Sequence, residues 1–143
     1  MRQEKEQLMT STTKIKSGIY PDKFSSGIIE ELRRLGRDYQ LLFFFKGNCK
    51  QSRELATTVN QFCRIYGWSV WAISVGGGGL PEFPSPHHDP DLVKRMNLKF
   101  VPALLAMHCG SHFYVPISYG AATLEDIEGE LEILVSHEEW RRN

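Results

Sequence analysis

LLFFFKGNCKQS, residues 41–52, opens as an apolar run of five and then turns polar around a single cysteine. The run is too short for a helix, and its aromatic content suits a strand buried on both faces, as in parallel sheets. From Lys50 the hydrophobic period changes to about 3.6. Leu55, Val59, Phe62, Cys63 and Tyr66 then fall on one stripe, and Gly67 stands where a left-handed residue closes a helix. A strand feeding directly into a helix of this kind is the first half of a β-α-β unit, and it predicts an α/β domain.

The segments around it complete the pattern. SVWAISV, residues 69–75, reads as the second strand. GGGGLPEFPSPHH, residues 76–88, reads as an irregular loop. Asp89-Pro90 predicts a helix start, because Asp caps orphan N–H groups and proline fits the first helical position. That short helix carries Leu92, Val93 and Met96. A third strand is expected over 103–108, a turn at 109–111, and a fourth strand over 112–119, with Pro116 marking an edge position. The last helix begins near Thr123 and buries Leu124, Ile127, Leu131 and Leu134. Upstream, Phe24, Ile28, Leu32 and Leu35 predict an additional helix over 22–37, and the polar residues 1–20 read as a flexible arm. The order is β-α-β-α-β-β-α behind an extra N-terminal helix, with one domain over 21–143 and a mixed four-stranded sheet.

Composition excludes several classes. The 143 residues carry 17 basic and 17 acidic side chains, with 41% hydrophobic and 24% charged residues. Such a balance supplies no concentrated positive field for nucleic acid or an anionic membrane. Three cysteines, Cys49, Cys63 and Cys109, leave at least one thiol unpaired. The start, MRQEKEQL, has no apolar core of a signal peptide, so no export signal is visible.

Chemistry is expected at the carboxyl ends of the parallel strands, beside the helices that follow them. Cys49 occupies that place. A thiol at a helix N-terminus gains from the unsatisfied N–H groups, which favour thiolate. Ser52, three residues on, is placed to donate a hydrogen bond to the sulfur. Pro102 stands at the mouth of the third strand, where a cis peptide is tolerated and the missing N–H is not needed. Asn48, Pro102, Val101, Leu80 and Phe83 are read as a groove for a partner segment added as a strand.

LLFFFKGNCKQS, YGWSVWAISVGGGGLPEFPS, DLVKRMNLKFVPALL and PISYGAATLEDIEGEL together resemble the TraF family of F-type conjugation and related type IV secretion systems. The resemblance covers roughly residues 40–134. It rests on the G-x-x-x-F-P loop, the V-P-A-L at the third strand and the S-Y-G near residue 120. It implies a thioredoxin-like fold and a periplasmic component that helps assemble the transfer apparatus or its pilus beside other assembly proteins. It also implies that Pro102 is cis and faces the cysteine motif. Some members of the family carry a full C-x-x-C and look like disulfide oxidoreductases or isomerases, whereas others have lost both cysteines and look like scaffolds. Here the motif is Cys49-x-x-Ser52. Exported relatives carry a signal and a longer N-terminal region, so a fragment of a longer protein or a reduced homologue is expected, with a cytosolic protein as the alternative.

A dithiol cycle needs a second thiol to resolve the mixed disulfide. Cys63 lies about 20 Å along the same helix, and Cys109 ends the third strand at the far pole. The adaptor reading is therefore favoured, with monothiol disulfide exchange at Cys49 as the alternative. Cys63 and Cys109 are read as two separate thiols rather than a bridge. No cofactor and no metal are expected. His87, His88 and Asp89 sit in a proline-rich loop, and Cys109 with His112 lacks a second ligand pair. The glycine run precedes no Lys-Ser/Thr and no helix, so it is not a phosphate loop. No G-x-S-x-G supports a hydrolase, and Trp140 is assigned to packing.

Overall fold

The computed structural model describes residues 26–142. The chain divides into two units, 1–31 and 32–143. Only the opening turns of the first helix are described in the former, and the whole sheet with the remaining helices belongs to the latter. The expected arm, residues 1–20, and the start of the predicted first helix lie outside the described residues.

The elements run α1 (Ser26–Leu35), β1 (Tyr39–Phe45), α2 (Lys50–Tyr66), β2 (Val70–Ser74), α3 (Pro90–Met96), β3 (Ala103–His108), β4 (Tyr114–Tyr119) and α4 (Leu124–Arg142). The sheet order is β2-β1-β3-β4. β1 pairs parallel with β2 (Phe43 opposite Ala72) and antiparallel with β3 (Phe43 opposite Leu104). β3 and β4 form an antiparallel hairpin. The predicted mixed four-stranded sheet is present, with the continuous apolar strand near its centre.

Six of the seven residues of β1 are buried, because alternate side chains serve two layers. Leu42 and Phe44 join Ile73, Ala103 and Leu105 under Leu92, Val93 and Met96 of α3. On the opposite face Phe43 and Phe45 lie 5.1 Å apart, on the side where α2 buries Leu55, Val59 and Phe62. α2 ends as its sequence predicts. Gly67 adopts φ 74° and its N–H closes on the Cys63 carbonyl at 2.8 Å. α3 starts as predicted too, with the Asp89 carboxylate accepting from Leu92 N–H at 3.0 Å. Tyr39 extends β1 two residues before the apolar run and pairs with His108.

Two expectations change. The fourth strand begins at Tyr114 rather than His112, because His112 has φ 66° and its N–H turns back to the His108 carbonyl. The 76–88 loop is not wholly irregular. His87 exchanges two hydrogen bonds of 2.9 Å with Ala72 and Ser74, adding one paired residue along the edge of β2. An otherwise open edge is thereby covered.

The same loop is held by a close backbone approach. A methyl group on Gly79 would meet the Pro84 carbonyl oxygen at 2.7 Å and that of Phe83 at 3.0 Å. On its other side the Gly79 carbonyl packs where a methyl on Gly47 would lie, at 3.2 Å. Both contacts are to backbone, which cannot swing aside as a flexible side chain would. Gly79→Ala is expected to cost about 1–3 kcal/mol of stability, read as a lower urea midpoint with an unchanged slope. An unaltered midpoint would show that the loop accommodates the methyl.

Candidate functional site

The strand-to-helix corner positions the cysteine. Gly47 and Asn48 form the turn, and Cys49 N–H reaches the Lys46 carbonyl at 3.2 Å. Cys49 is the N-cap of α2, with extended backbone angles of φ −107° and ψ 125°, and its carbonyl accepts Arg53 N–H. Its side chain is partly exposed. The neutral thiol makes no capping hydrogen bond of ordinary geometry. Charge on the sulfur is favoured nonetheless. The Ser52 N–H is the largest influence holding the thiol below its ordinary value, followed by the Ser52 hydroxyl, with Gln51 N–H and the Lys46 charge adding to it and burial opposing.

Ser52 is fully buried, and its oxygen accepts the Lys46 N–H at 3.1 Å. That bond occupies a lone pair and leaves the hydroxyl proton for the sulfur. Ser52 is therefore a positioning residue for a thiolate. In Ser52→Ala the rate of Cys49 alkylation is expected to titrate at higher pH, while the rate for the remote, exposed Cys109 keeps its profile. Peptide-resolved alkylation across pH 5–10 reads this (about the range in which thiols titrate). Coincident Cys49 profiles would remove Ser52 from the site.

The Val101–Pro102 peptide is cis, and Pro102 is buried directly before β3. The register that sets Phe44 opposite Ala103 carries Pro102 toward Phe45, four residues before Cys49. The Pro102 carbonyl accepts Gly120 N–H at 2.8 Å. Gly120 has φ 83°, and a methyl there would lie 3.5 Å from the Phe100 ring and 3.9 Å from Gln51 Oε1. Three separate segments, Gln51 after the cysteine, Phe100 to Pro102, and Gly120, thus meet at one corner. Phe100 is 53% exposed and tilts against Tyr119 at 5.4 Å. An open cleft of about 530 Å³, walled by Lys46, Gly47, Asn48 and the glycine run, adjoins the cysteine turn.

Of the residues expected to line a groove, Asn48 is exposed, Val101 is half-buried and Pro102 is buried at this corner. Leu80 is buried away from it, whereas Phe83 stays half-buried. Leu80 is 3% exposed, and Phe83 packs edge-on against Phe43 at 5.5 Å. Their apolar side chains turn inward to close the core over β1, and Glu82 between them accepts a hydrogen bond from Thr57 of α2. No sequence pattern singles out Phe100 or Gln51 for this corner, and Gly120 is marked only as the end of the S-Y-G motif. The one local signal for Phe100 is an aromatic standing between Lys99 and the Val-Pro pair.

All three cysteines are free thiols. Cys63, one turn before the end of α2, is half-buried, and desolvation pushes its thiol up to about 11. Cys109 is exposed in the β3–β4 turn, its N–H bound to the Asp38 carbonyl at 2.8 Å. Among the described residues no three His, Cys, Asp or Glu side chains group to hold a metal ion. No helix among them is long and apolar enough to cross a membrane.

Fold and site together describe a mixed α/β domain with one thiolate-favouring cysteine at the mouth of its first βα unit. The chain belongs to the TraF family, F plasmid transfer operon proteins, whose family model matches residues 5–131. It is 29% identical over 98 residues to Protein TraF of Escherichia coli (strain K12), an alignment covering 68% of this chain and 40% of that protein. The chain thus spans about two fifths of the length of that relative. No solved structure matches it.

Proposed function

We propose that this chain is a thioredoxin-like assembly component of an F-type conjugation apparatus, acting in the periplasm as an adaptor that docks partner segments at the Cys49 corner. Membership in a transfer-operon family supports the setting. The order of strands and helices supports the fold assignment. The observation that carries the adaptor role is the separation of one activated thiol from any resolving thiol. Cys63 is about 14 helical residues, or roughly 20 Å, from Cys49, and Cys109 follows the opposite end of a strand antiparallel to β1. Exposed Phe100 supplies an aromatic anchor of the kind that concentrates binding energy.

The lowered Cys49 thiol favours a second reading, monothiol exchange. The Cys49 thiolate attacks a partner disulfide, the S–S bond breaks, and the partner's second sulfur leaves as thiolate. A different thiolate of the partner then attacks the partner sulfur of the mixed disulfide, forms a new partner disulfide and returns Cys49 as thiolate, while the sulfur released first stays as a free thiol. The exchange is redox-neutral overall and isomerises the partner. Plasmid transfer frequency in a strain lacking the chromosomal or plasmid copy separates the two readings. Under the adaptor reading Cys49→Ser restores transfer and Phe100→Asp does not. Loss of transfer in Cys49→Ser favours exchange. Full transfer in both variants removes the corner from function.

A further inference from the structure

Among the described residues, α3 covers the second face of the sheet, and it is a seven-residue helix with no buried residue. Between α3 and the β3–β4 hairpin lies a cavity of about 410 Å³. Leu42, Trp71, Met96 and Met107 give it an apolar floor, and Arg95, His112 and Tyr114 stand with them around it. Tyr114 is 45% exposed although it begins a strand. His112 is held at φ 66°, a conformation that non-glycine residues adopt uncommonly and that recurs at ligand sites. The indole N–H of Trp71 is buried and has no hydrogen-bond partner among the described residues. A buried orphan donor of this kind is costly.

The charge of the lining is one-sided. Its polar side chains offer a guanidinium, an imidazole and a phenol, and none of the described lining residues is acidic. Trp, Tyr, Arg and Met are the types enriched at protein-recognition surfaces, and paired methionines adapt to the shape of an inserted side chain. We propose that this cavity is a peptide-docking pocket for an acidic–apolar segment of a partner protein. The segment's apolar side chain sits on Met96 and Met107, and a flanking carboxylate meets Arg95. Arg95 suits this role because its fork binds carboxylate in a bidentate manner. The pocket lies on the α3 face, so it is separate from the Cys49 corner and does not depend on the reading given to that corner.

The test uses the full chain and the acetylated, amidated peptide Glu-Glu-Leu-Phe-Glu, titrated to about 2 mM, a ceiling that captures weak binding. The readout is the Trp71 indole N–H resonance, assigned by its disappearance in Trp71→Phe. A saturable shift is expected, weakened about tenfold in Arg95→Gln, whose guanidinium can no longer pair with carboxylate. Circular dichroism confirms that Arg95→Gln remains folded. No Trp71 shift overturns the proposal. Equal binding of the Gln-Gln-Leu-Phe-Gln peptide overturns the acidic specificity. Tighter binding of decanoate than of the peptide reassigns the cavity to a small amphiphile. A Trp71 shift that follows protein concentration without peptide assigns it to a second copy of the chain.

Discussion

Ser52→Cys is expected to create a reversible disulfide between Cys49 and the new thiol at position 52, and to turn a corner with one cysteine into a dithiol disulfide reductase. The geometry of the helix start makes this possible. Cys49 is the N-cap and position 52 lies one turn on, a separation that brings Cα atoms within the span of a disulfide, about 4.4–6.8 Å. Position 52 is fully buried and its side chain already lies against the cysteine, as the influence of its hydroxyl on the thiol requires. The new sulfur is a weaker acceptor for Lys46 N–H than the serine oxygen, so a modest loss of stability accompanies the change. The variant equilibrates in a glutathione redox buffer and is then denatured and alkylated. Intact mass should show two labelled thiols, Cys63 and Cys109, and no glutathione on the pair. Insulin reduction driven by dithiothreitol should rise at least about tenfold over the parent chain, since a resolving thiol now exists. Four labelled thiols would mean that the corner does not hold a dithiol geometry, and the thioredoxin-like assignment would lose its chemical support.

Much of the site's framework is written in local pattern, and its details are not. LLFFF announces a central strand because five consecutive apolar residues satisfy both faces of a sheet at once. Gly67 and the Asp89-Pro90 pair mark helix ends through backbone chemistry that needs no tertiary partner, and both stand where expected. Leu80 and Phe83 show the limit of local pattern. An apolar residue in a proline-rich loop has the same local signature whether it faces a partner or turns inward onto Phe43. The direction is decided by the Gly47–Gly79 approach and by the Thr57–Glu82 hydrogen bond, both made across the chain. Phe100 is the converse case, since its exposure follows from the way Gly120 and Tyr119 reach the same corner. The pairing of His87 with β2 is hidden for a similar reason, because a single paired residue has no period to detect. The buried stripe of α4 is legible at Ile127, Leu131 and Leu134, yet the same helix also buries Glu128. A carboxylate among those positions reads as the solvated flank until its partner, Tyr66, is known.

That partner makes Glu128 a polar position sensitive to substitution. Tyr66 is 5% exposed and Glu128 is 6% exposed, and the phenol donates to the carboxylate at 2.6 Å between α2 and α4. Glu128→Ala strands the hydroxyl and opens a void, and is expected to cost about 2–4 kcal/mol. Tyr66→Phe leaves the carboxylate buried without its donor, at about 1.5–3 kcal/mol. The two losses should not add, because the first removes what the second would break. A double-variant cost equal to the sum would show that the pair is not coupled. The pH dependence has a definite sign. Burial first, then the Glu128 hydrogen bond and charge, raise the Tyr66 hydroxyl above its ordinary value. A group whose folded value is raised contributes full stability below its unfolded value, about pH 10 for tyrosine, and loses it as pH rises further. Unfolding by urea should therefore become easier above that pH in the parent chain. Tyr66→Phe starts less stable but lacks this alkaline decline, so the two stability curves converge as pH rises. Parallel curves across that range would remove the phenol from the alkaline response and leave Cys63, whose thiol burial also raises, as its source.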